Sequence, residues 1–405
     1  MSASEGVIRV RGAAEQIAVL PHQLGYQPRQ SLVVTLLGEP RSDGGPLTAA
    51  VLMTMRFDIP EPNVVNRVVE EVRAVCAREQ PGAAQIFAYT DEREDAHAVR
   101  SLRLFGQACA DEGAAVDTLA QVSDGFWCRR THLGEHDCPP TWARIPALAD
   151  VPAAADLVFR GASPLGDRAE LGRALDADCP LTHQAVRQAL RLHDEDPEGP
   201  FGDVDGPRRE GDLQAWEDRE LRHYRTWALV LRTDPDAPAI EQLGTEDLVA
   251  TVRSLRYRVF RDCLLELIAP SQFSDLDSSA PNRVQAALVR VERRCLAEAV
   301  EEEARGRGLA APPPIDLDLL TPRLTTLCAR TPREHAVPVL SLLGMHAWSK
   351  GAGTLANLAV ERALAVDPDY RLAQLLDLAL TAALRPRRFT REAADRCEGR
   401  GPDAA

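Results

Sequence analysis

The chain has 405 residues, enough for roughly two to three domains, and 45% of them are hydrophobic, so cores can form without disulfide or metal staples. Acidic residues number 61 against 47 basic ones, a formal charge of −14. Such a chain is expected to be soluble and to repel phosphate backbones, which argues against a general nucleic-acid role. The basic clusters Arg129–Arg130, Arg208–Arg209 and Arg385, Arg387, Arg388, Arg391 read as solvated helix ends and a tail. Lys350 is the only lysine, a bias of G- and C-rich coding. Nine cysteines are scattered without the spacing of a disulfide framework. Cys76, Cys109, Cys263, Cys295 and Cys328 sit in apolar helical contexts and read as buried thiols. Met1–Arg11 has no signal-peptide core and no run approaches a membrane span, so the expected compartment is the cytoplasm.

Residues 13–24 (AAEQIAVLPHQL) predict a helix broken near Pro21. SLVVTLLG, 31–38, and AAVLMTMRFD, 49–58, predict an antiparallel pair of strands around a Gly-rich loop. The period then changes. Val64, Val65, Val68, Val69, Val72 and Val75 share one face of a helix over 62–79. A strand at 84–90 follows, then a helix over 94–112 with Val99, Leu102, Leu104, Phe105 and Cys109 inward, then a strand at 115–122 and a hairpin partner at 126–131. Strand, helix, strand, helix, strand is the signature of parallel crossover units. Short helices are expected at 152–160, 167–176 and 181–194. The fold class is therefore an α/β N-terminal domain, 1–194, with a mixed, partly parallel sheet and crossover helices. A Gly-, Pro- and charge-rich linker occupies 195–211. An all-α domain, 212–386, and a flexible tail, 387–405, complete the chain. Helices in that domain are expected near 213–232, 245–268, 282–305, 316–329, 335–349, 352–366 and 371–384.

The segment Val337–Pro368 fits one tetratricopeptide-like unit. Leu343 and Gly344 take the leucine-glycine pair of the first helix, and Ala347 takes the next contact position. Ala356, Val360 and Ala363 take the small-large-small positions of the second. Small residues let two antiparallel helices approach closely, and Pro368 starts the next helix.

Two constellations carry candidate chemistry. Asp58, Asp91 and Asp124 each follow the carboxyl end of a predicted strand, where open α/β sheets bind ligands, and three carboxylates there suit a divalent cation. The same residues also read as helix caps and turns: Asp91 with Glu94 as an N-cap pair, Asp124–Gly125 as a turn, Asp58 as the cap of the next helix. The second constellation is WCRRTHLGEHDCPP, with Cys128, His132, His136 and Cys138 at C-x3-H-x3-H-x-C spacing. Two thiolates and two imidazoles complete a tetrahedral zinc shell, although the spacing matches no standard finger. His22, in LPHQLGYQP, reads as a hydrogen-bonded core histidine. No phosphate-binding loop, dinucleotide fingerprint or H-E-x-x-H is present.

LPHQLGYQPRQSLVVTLLG followed by MRFDIP resembles the start of the actinobacterial family called domain of unknown function 4192. FWCRRTHLGEHDCPP, LVFRGASPLGDRAEL and WSKGAGTLANLAVERALAVDPDYRLAQLLDLAL extend the resemblance over almost the whole chain. Members tend to carry cysteines around the Cys-Pro step. Cys138 matches one, and His136 or His132 stands where more sulfur is expected. The resemblance implies an actinobacterial cytoplasmic source and brings no activity with it. Taken together, the sequence points to a non-catalytic protein-interaction or regulatory module whose partner is another protein or a second copy. A metal-dependent hydrolase using the strand-end carboxylates and a zinc-stabilised structural module are the alternatives.

Overall fold

The computed structural model describes residues 9–41, 48–93, 95–130, 140–159, 164–176, 180–194, 222–273 and 283–387. The chain divides into two compact units, Met1–Arg168 and Ala169–Ala405. Among the described residues, no helix is long and apolar enough to cross a membrane.

The first unit is built on β1 (Ser31–Leu37), β2 (Val51–Asp58), β3 (Ala83–Tyr89), β4 (Ala115–Ser123), β5 (Phe126–Arg129) and β6 (Trp142–Arg144). They form one sheet in the order β2-β1-β3-β4-β5-β6. Only β3 and β4 are parallel; every other neighbouring pair is antiparallel. Helix α2 (Val65–Glu79) carries the chain from β2 to β3, and α3 (Ala96–Asp111) carries it from β3 to β4. Because side chains alternate along a strand, the sheet presents two apolar faces. Val33, Phe87, Tyr89, Ala120 and Val122 pack against Ala13, Ile17 and Leu20 of α1 (Gly12–Leu24). The alternate residues face α3, which packs on β3 and β4 and against α2. Coverage on both sides explains why β3 is buried along its whole length while the edge strand β2 is not.

The buried face of α2 is Val65, Val69, Val72 and Val75; Val64 ends outside the helix as its exposed N-cap residue. Cys76 and Cys109 meet beneath α2 and α3 with their sulfurs 3.7 Å apart. The expected break of α1 at Pro21 does not occur. Proline lacks the N–H that would bond the carbonyl of Ile17, and the Tyr89 hydroxyl, 3.5 Å away, donates to that oxygen instead. Burial pushes the Tyr89 phenol far above its ordinary value, so it stays a donor. β6, which the sequence did not announce, is only three residues long and pairs with β5. A last helix of this unit, α4 (Pro152–Phe159), packs on α1.

The second unit is helical: α5 (Arg168–Leu175), α6 (Pro180–Asp194), α7 (222–230), α8 (Thr245–Ser254), α9 (Arg258–Ile268), α10 (Pro270–Phe273), α11 (Arg283–Gly306), α12 (Leu317–Arg330), α13 (Val337–Ser349), α14 (Gly353–Val366) and α15 (Arg371–Thr381). Leu175, Val186 and Leu190 of α5 and α6 belong to the same core as Trp227, Phe260 and Leu324. The single helix expected over 245–268 is two. Leu248, Val252 and Leu255 are buried at a helical period, then Arg256 and Tyr257 are exposed and Phe260, Cys263 and Leu264 are buried on a shifted phase. A continuous helix would have set the two apolar groups about a third of a turn apart; the break brings both onto one core. Residues 195–221 and 388–405, which hold the expected linker and most of the expected tail, lie outside the described residues.

α13 and α14 form a closely packed hairpin, and α15 packs on both. Gly344 permits the approach: a Cβ there would meet Val360 Cγ2 at 3.2 Å. Ala347, Ala356 and Ala363 are fully buried at the same seam. Arg323 of α12 closes the end of α7 by donating to the carbonyls of Leu229, Val230 and Pro238 at 2.8–2.9 Å.

His346, fully buried on α13, links three helices. Its Nδ1–H donates to the Ile268 carbonyl at 2.8 Å, and its Nε2, 3.1 Å from Thr321 Oγ1, accepts that hydroxyl. Burial holds its pKa below the ordinary histidine value, assisted by nearby Lys350, which itself pairs with Asp318. The unfolded chain therefore takes up a proton first as pH falls, and the folded state loses stability from about pH 6.5 downward. Urea midpoints measured across pH 5–7.5 should fall on the acid side, and the slope should flatten in His346→Gln. Parallel pH profiles for the two proteins would rule out His346 as the source.

Candidate ligand cleft

A cleft of about 690 Å³ opens past the carboxyl ends of β3 and β4. This is the edge at which open α/β sheets bind ligands, and the volume lies within the ~300–1,000 Å³ of small-molecule sites. One wall is Ile17, Ala18, Pro21 and His22 of α1, another is Ile145, Pro146 and Leu148, and Tyr89 and Val122 close the strand side. Gln27 and Arg29 enter from the loop after α1, Thr90, Asp91 and Arg93 from the turn after β3, and Asp124 from the turn after β4.

Each contributor is held by a local device. α1 stops at Gly25, whose φ of +82° suits glycine and whose N–H bonds the Pro21 carbonyl at 2.9 Å. The following loop is pinned by a two-way backbone bridge: Gln27 donates to the Leu165 carbonyl and Leu165 to that of Gly25, both at 2.9 Å. The turn after β3 is tied to β4 from the face opposite α1. Thr90 Oγ1 donates to the Glu92 carbonyl at 2.7 Å, and Gln121 Nε2 donates to Thr90 Oγ1 and to the same carbonyl. Arg130 in turn donates to Gln121 Oε1 at 2.8 Å. Arg93 lays its guanidinium over the Phe126 ring, 4.3 Å from the centroid, and near Trp142 at 5.3 Å. β4 and β5 join through Asp124 and Gly125, both left-handed at φ +49° and +74°, a two-residue hairpin turn. Ile145 N–H bonds the Gly125 carbonyl at 3.0 Å, which brings the third wall to the rim.

The structure separates the three predicted carboxylates. Asp91 and Asp124 line the cleft. Asp58 ends β2 outside it and pairs with Arg56 at 2.5 Å. Among the described residues, no group of three His, Cys, Asp or Glu side chains is placed to hold a metal ion. The capping roles expected for two of them also move elsewhere. The N-cap of α3 is Asp95, which accepts from Ala98 N–H, and the helix begins too late for Asp91 to reach it. α2 begins after Val64 without a side-chain cap, so Asp58 caps nothing. Asp124 does take its expected turn position. Asp91 and Asp124 are thus exposed carboxylates at a cleft, and together with Arg29 they make no ion pair among the described residues.

Of the Cys/His set, Cys128 is buried at the end of β5, its thiol 3.5 Å from the Arg129 carbonyl. His132, His136 and Cys138 lie outside the described residues. His22 is buried as expected, and it also forms part of the cleft wall. Arg29, Arg93 and the Ile145–Leu148 wall escaped the sequence reading. The available signal was the polar density of HQLGYQPR inside an otherwise apolar stretch.

A layered α/β unit with a cleft at the ends of the parallel strands β3 and β4, followed by a helical unit, is the class this chain represents. Residues 14–387 match the family model described as Domain of unknown function (DUF4192), and the chain belongs to that family. No curated protein and no solved structure matches it.

Proposed function

We propose that this protein is a ligand-responsive interaction module of the cytoplasm. The α/β unit receives a small molecule in the cleft at the ends of β3 and β4, and the helical unit docks a partner protein or a second copy. The cleft carries the reading: a small-molecule-sized space with apolar walls, rimmed by Arg29, Asp91 and Asp124, which make no ion pair among the described residues. A few charged groups converging on an apolar-walled cleft are the arrangement by which small-molecule sites fix a ligand's orientation.

For the helical unit, the support is the hairpin of α13 and α14 with α15 stacked on it, a tetratricopeptide-like arrangement. Leu375 and Leu378 of α15 are exposed, and neighbouring exposed apolar residues on one helix suit contact with another chain. The acidic charge of the chain favours a protein partner over nucleic acid.

The test is thermal unfolding of the full chain against a panel of cell metabolites, followed by sedimentation with each hit. A ligand at a hundred times its Kd adds about 2.7 kcal/mol of stability, a shift of several degrees. At least one such hit is expected, with a ligand-dependent change in self-association or partner binding. A panel that leaves the melting temperature unmoved, with sedimentation constant across concentration, overturns the proposal.

A further inference from the structure

We infer that the cleft binds a small zwitterion, a free amino acid or dipeptide, with its ammonium at Asp91 and Asp124 and its carboxylate at Arg29. This rests on the reading of the cleft as a ligand site and names the class of ligand.

Sheet register places the three charges in one row. Ser31 of β1 pairs with Tyr89 of β3, and Tyr89 pairs with Val122 of β4. Arg29 stands two residues before Ser31; Asp91 and Asp124 stand two residues beyond Tyr89 and Val122. Because β1 is antiparallel and β3 and β4 are parallel, all three lie just past the same sheet edge. Neighbouring strands are about 4.8 Å apart, so the strand ends that carry them, at Ser31, Tyr89 and Val122, span about 10 Å in the order Arg29, Asp91, Asp124. The cation is at the β1 end and the two carboxylates are side by side at the β3–β4 end.

The surroundings add to the same polarity. α1 runs toward the cleft with its carbonyl end, the partially negative pole of a helix, and its last-turn His22 lines the wall. Two carboxylates and a helix carbonyl end repel a phosphate and attract an ammonium. Among the described residues Arg29 makes no ion pair, which leaves its guanidinium to fork onto a carboxylate. Counting Arg93 with Arg29 against the two aspartates, the formal charges of the cleft cancel. An electrically neutral ligand bearing both signs matches that balance; an amine alone or an acid alone leaves part of the row unmet. The apolar surface of Ile17, Pro21, Ile145 and Leu148 suits an apolar side chain.

The test uses calorimetry on the full chain with leucine, phenylalanine and leucyl-leucine, then with the N-acetyl and the amide forms of each. Adenosine monophosphate and glucose 6-phosphate serve as anionic comparisons. At least one free zwitterion should bind, and blocking either end should weaken it tenfold or more. Arg29→Gln should remove the preference for the free acid over the amide. Asp124→Asn, which keeps a residue tolerant of the left-handed turn, should remove the preference for the free amine over its acetyl form. Circular dichroism checks that both variants are folded. Equal binding by a blocked form overturns the zwitterion, as does a phosphate compound that binds while every zwitterion is silent; in that second case the cleft still stands as a ligand site. Silence from all compounds overturns this inference, and the broader panel above then decides whether the cleft reading falls with it.

Discussion

Phe87→Ala is expected to destabilise the α/β unit by about 3–5 kcal/mol, the usual cost of emptying a buried aromatic site, and to weaken the cleft with it. Phe87 is fully buried in the middle of β3, on the face covered by α1. Ile17 and Leu20 of α1 and Val33 of β1 belong to the same cluster. Alanine leaves a void beneath the helix that forms one wall of the cleft. The loss reaches function as well as stability, since α1 supplies both the apolar wall and His22. Hydrogen exchange of the β3 and α1 amides should rise together, and ligand affinity should fall in parallel. Phe87→Leu refills part of the void and should recover more than half of the loss. A change below about 1 kcal/mol for the alanine variant would contradict a tightly packed core at this position.

Trp227→Ala should have an effect of similar size in the helical unit, again about 3–5 kcal/mol. Trp227 is fully buried on α7 and packs near Phe260 at 6.5 Å between ring centroids. Its indole N–H donates to Ser254 Oγ at 3.0 Å, and that hydroxyl donates onward to the Thr251 carbonyl. The bond spans the last turn of α8, just before the break that lets Phe260 swing inward. Trp227→Phe separates the two contributions. It keeps most of the apolar volume and loses the hydrogen bond, for an expected cost of about 1 kcal/mol plus the lost volume. Urea unfolding followed by far-ultraviolet dichroism, with exchange protection of α7 and α9, reads both variants. Equal costs for alanine and phenylalanine would place the stabilisation in the hydrogen bond; a small cost for alanine would show that the site collapses around the gap.

Much of the fold was legible because its signals are local. The valines of α2 recur at the helical period, and Ser31–Leu37 and Ala83–Tyr89 are mostly apolar runs of strand length. Alternation of strand and helix from residue 49 to 122 implied parallel crossovers, and β3 and β4 are indeed parallel. Gly344 and the alanines opposite it marked the tight hairpin of α13 and α14. The misses are equally instructive. Nothing around Leu255–Tyr257 breaks a helix by itself; only packing of Phe260 beside Trp227 does so. Pro21 is a helix breaker by rule, and it is tolerated here because a tyrosine some seventy residues later takes up the freed carbonyl. Asp91 followed by Glu94 has the spacing of a cap, and the helix begins one turn further on with Asp95 as its cap.

The row of charges at the sheet edge shows the same division. Asp91 and Asp124 could be named from the sequence because each follows the end of a strand, a property of its own neighbourhood. That Arg29 joins them, that Asp58 does not, and that α1 and the Ile145–Leu148 segment wall them in depend on strand order and register. Amino-acid periodicity determined which segments are strands and helices, because amphipathic spacing is written within a few turns of chain. Only the tertiary structure decided which strand ends lie side by side, because pairing across distant segments is selected by the burial of whole faces rather than by any one residue.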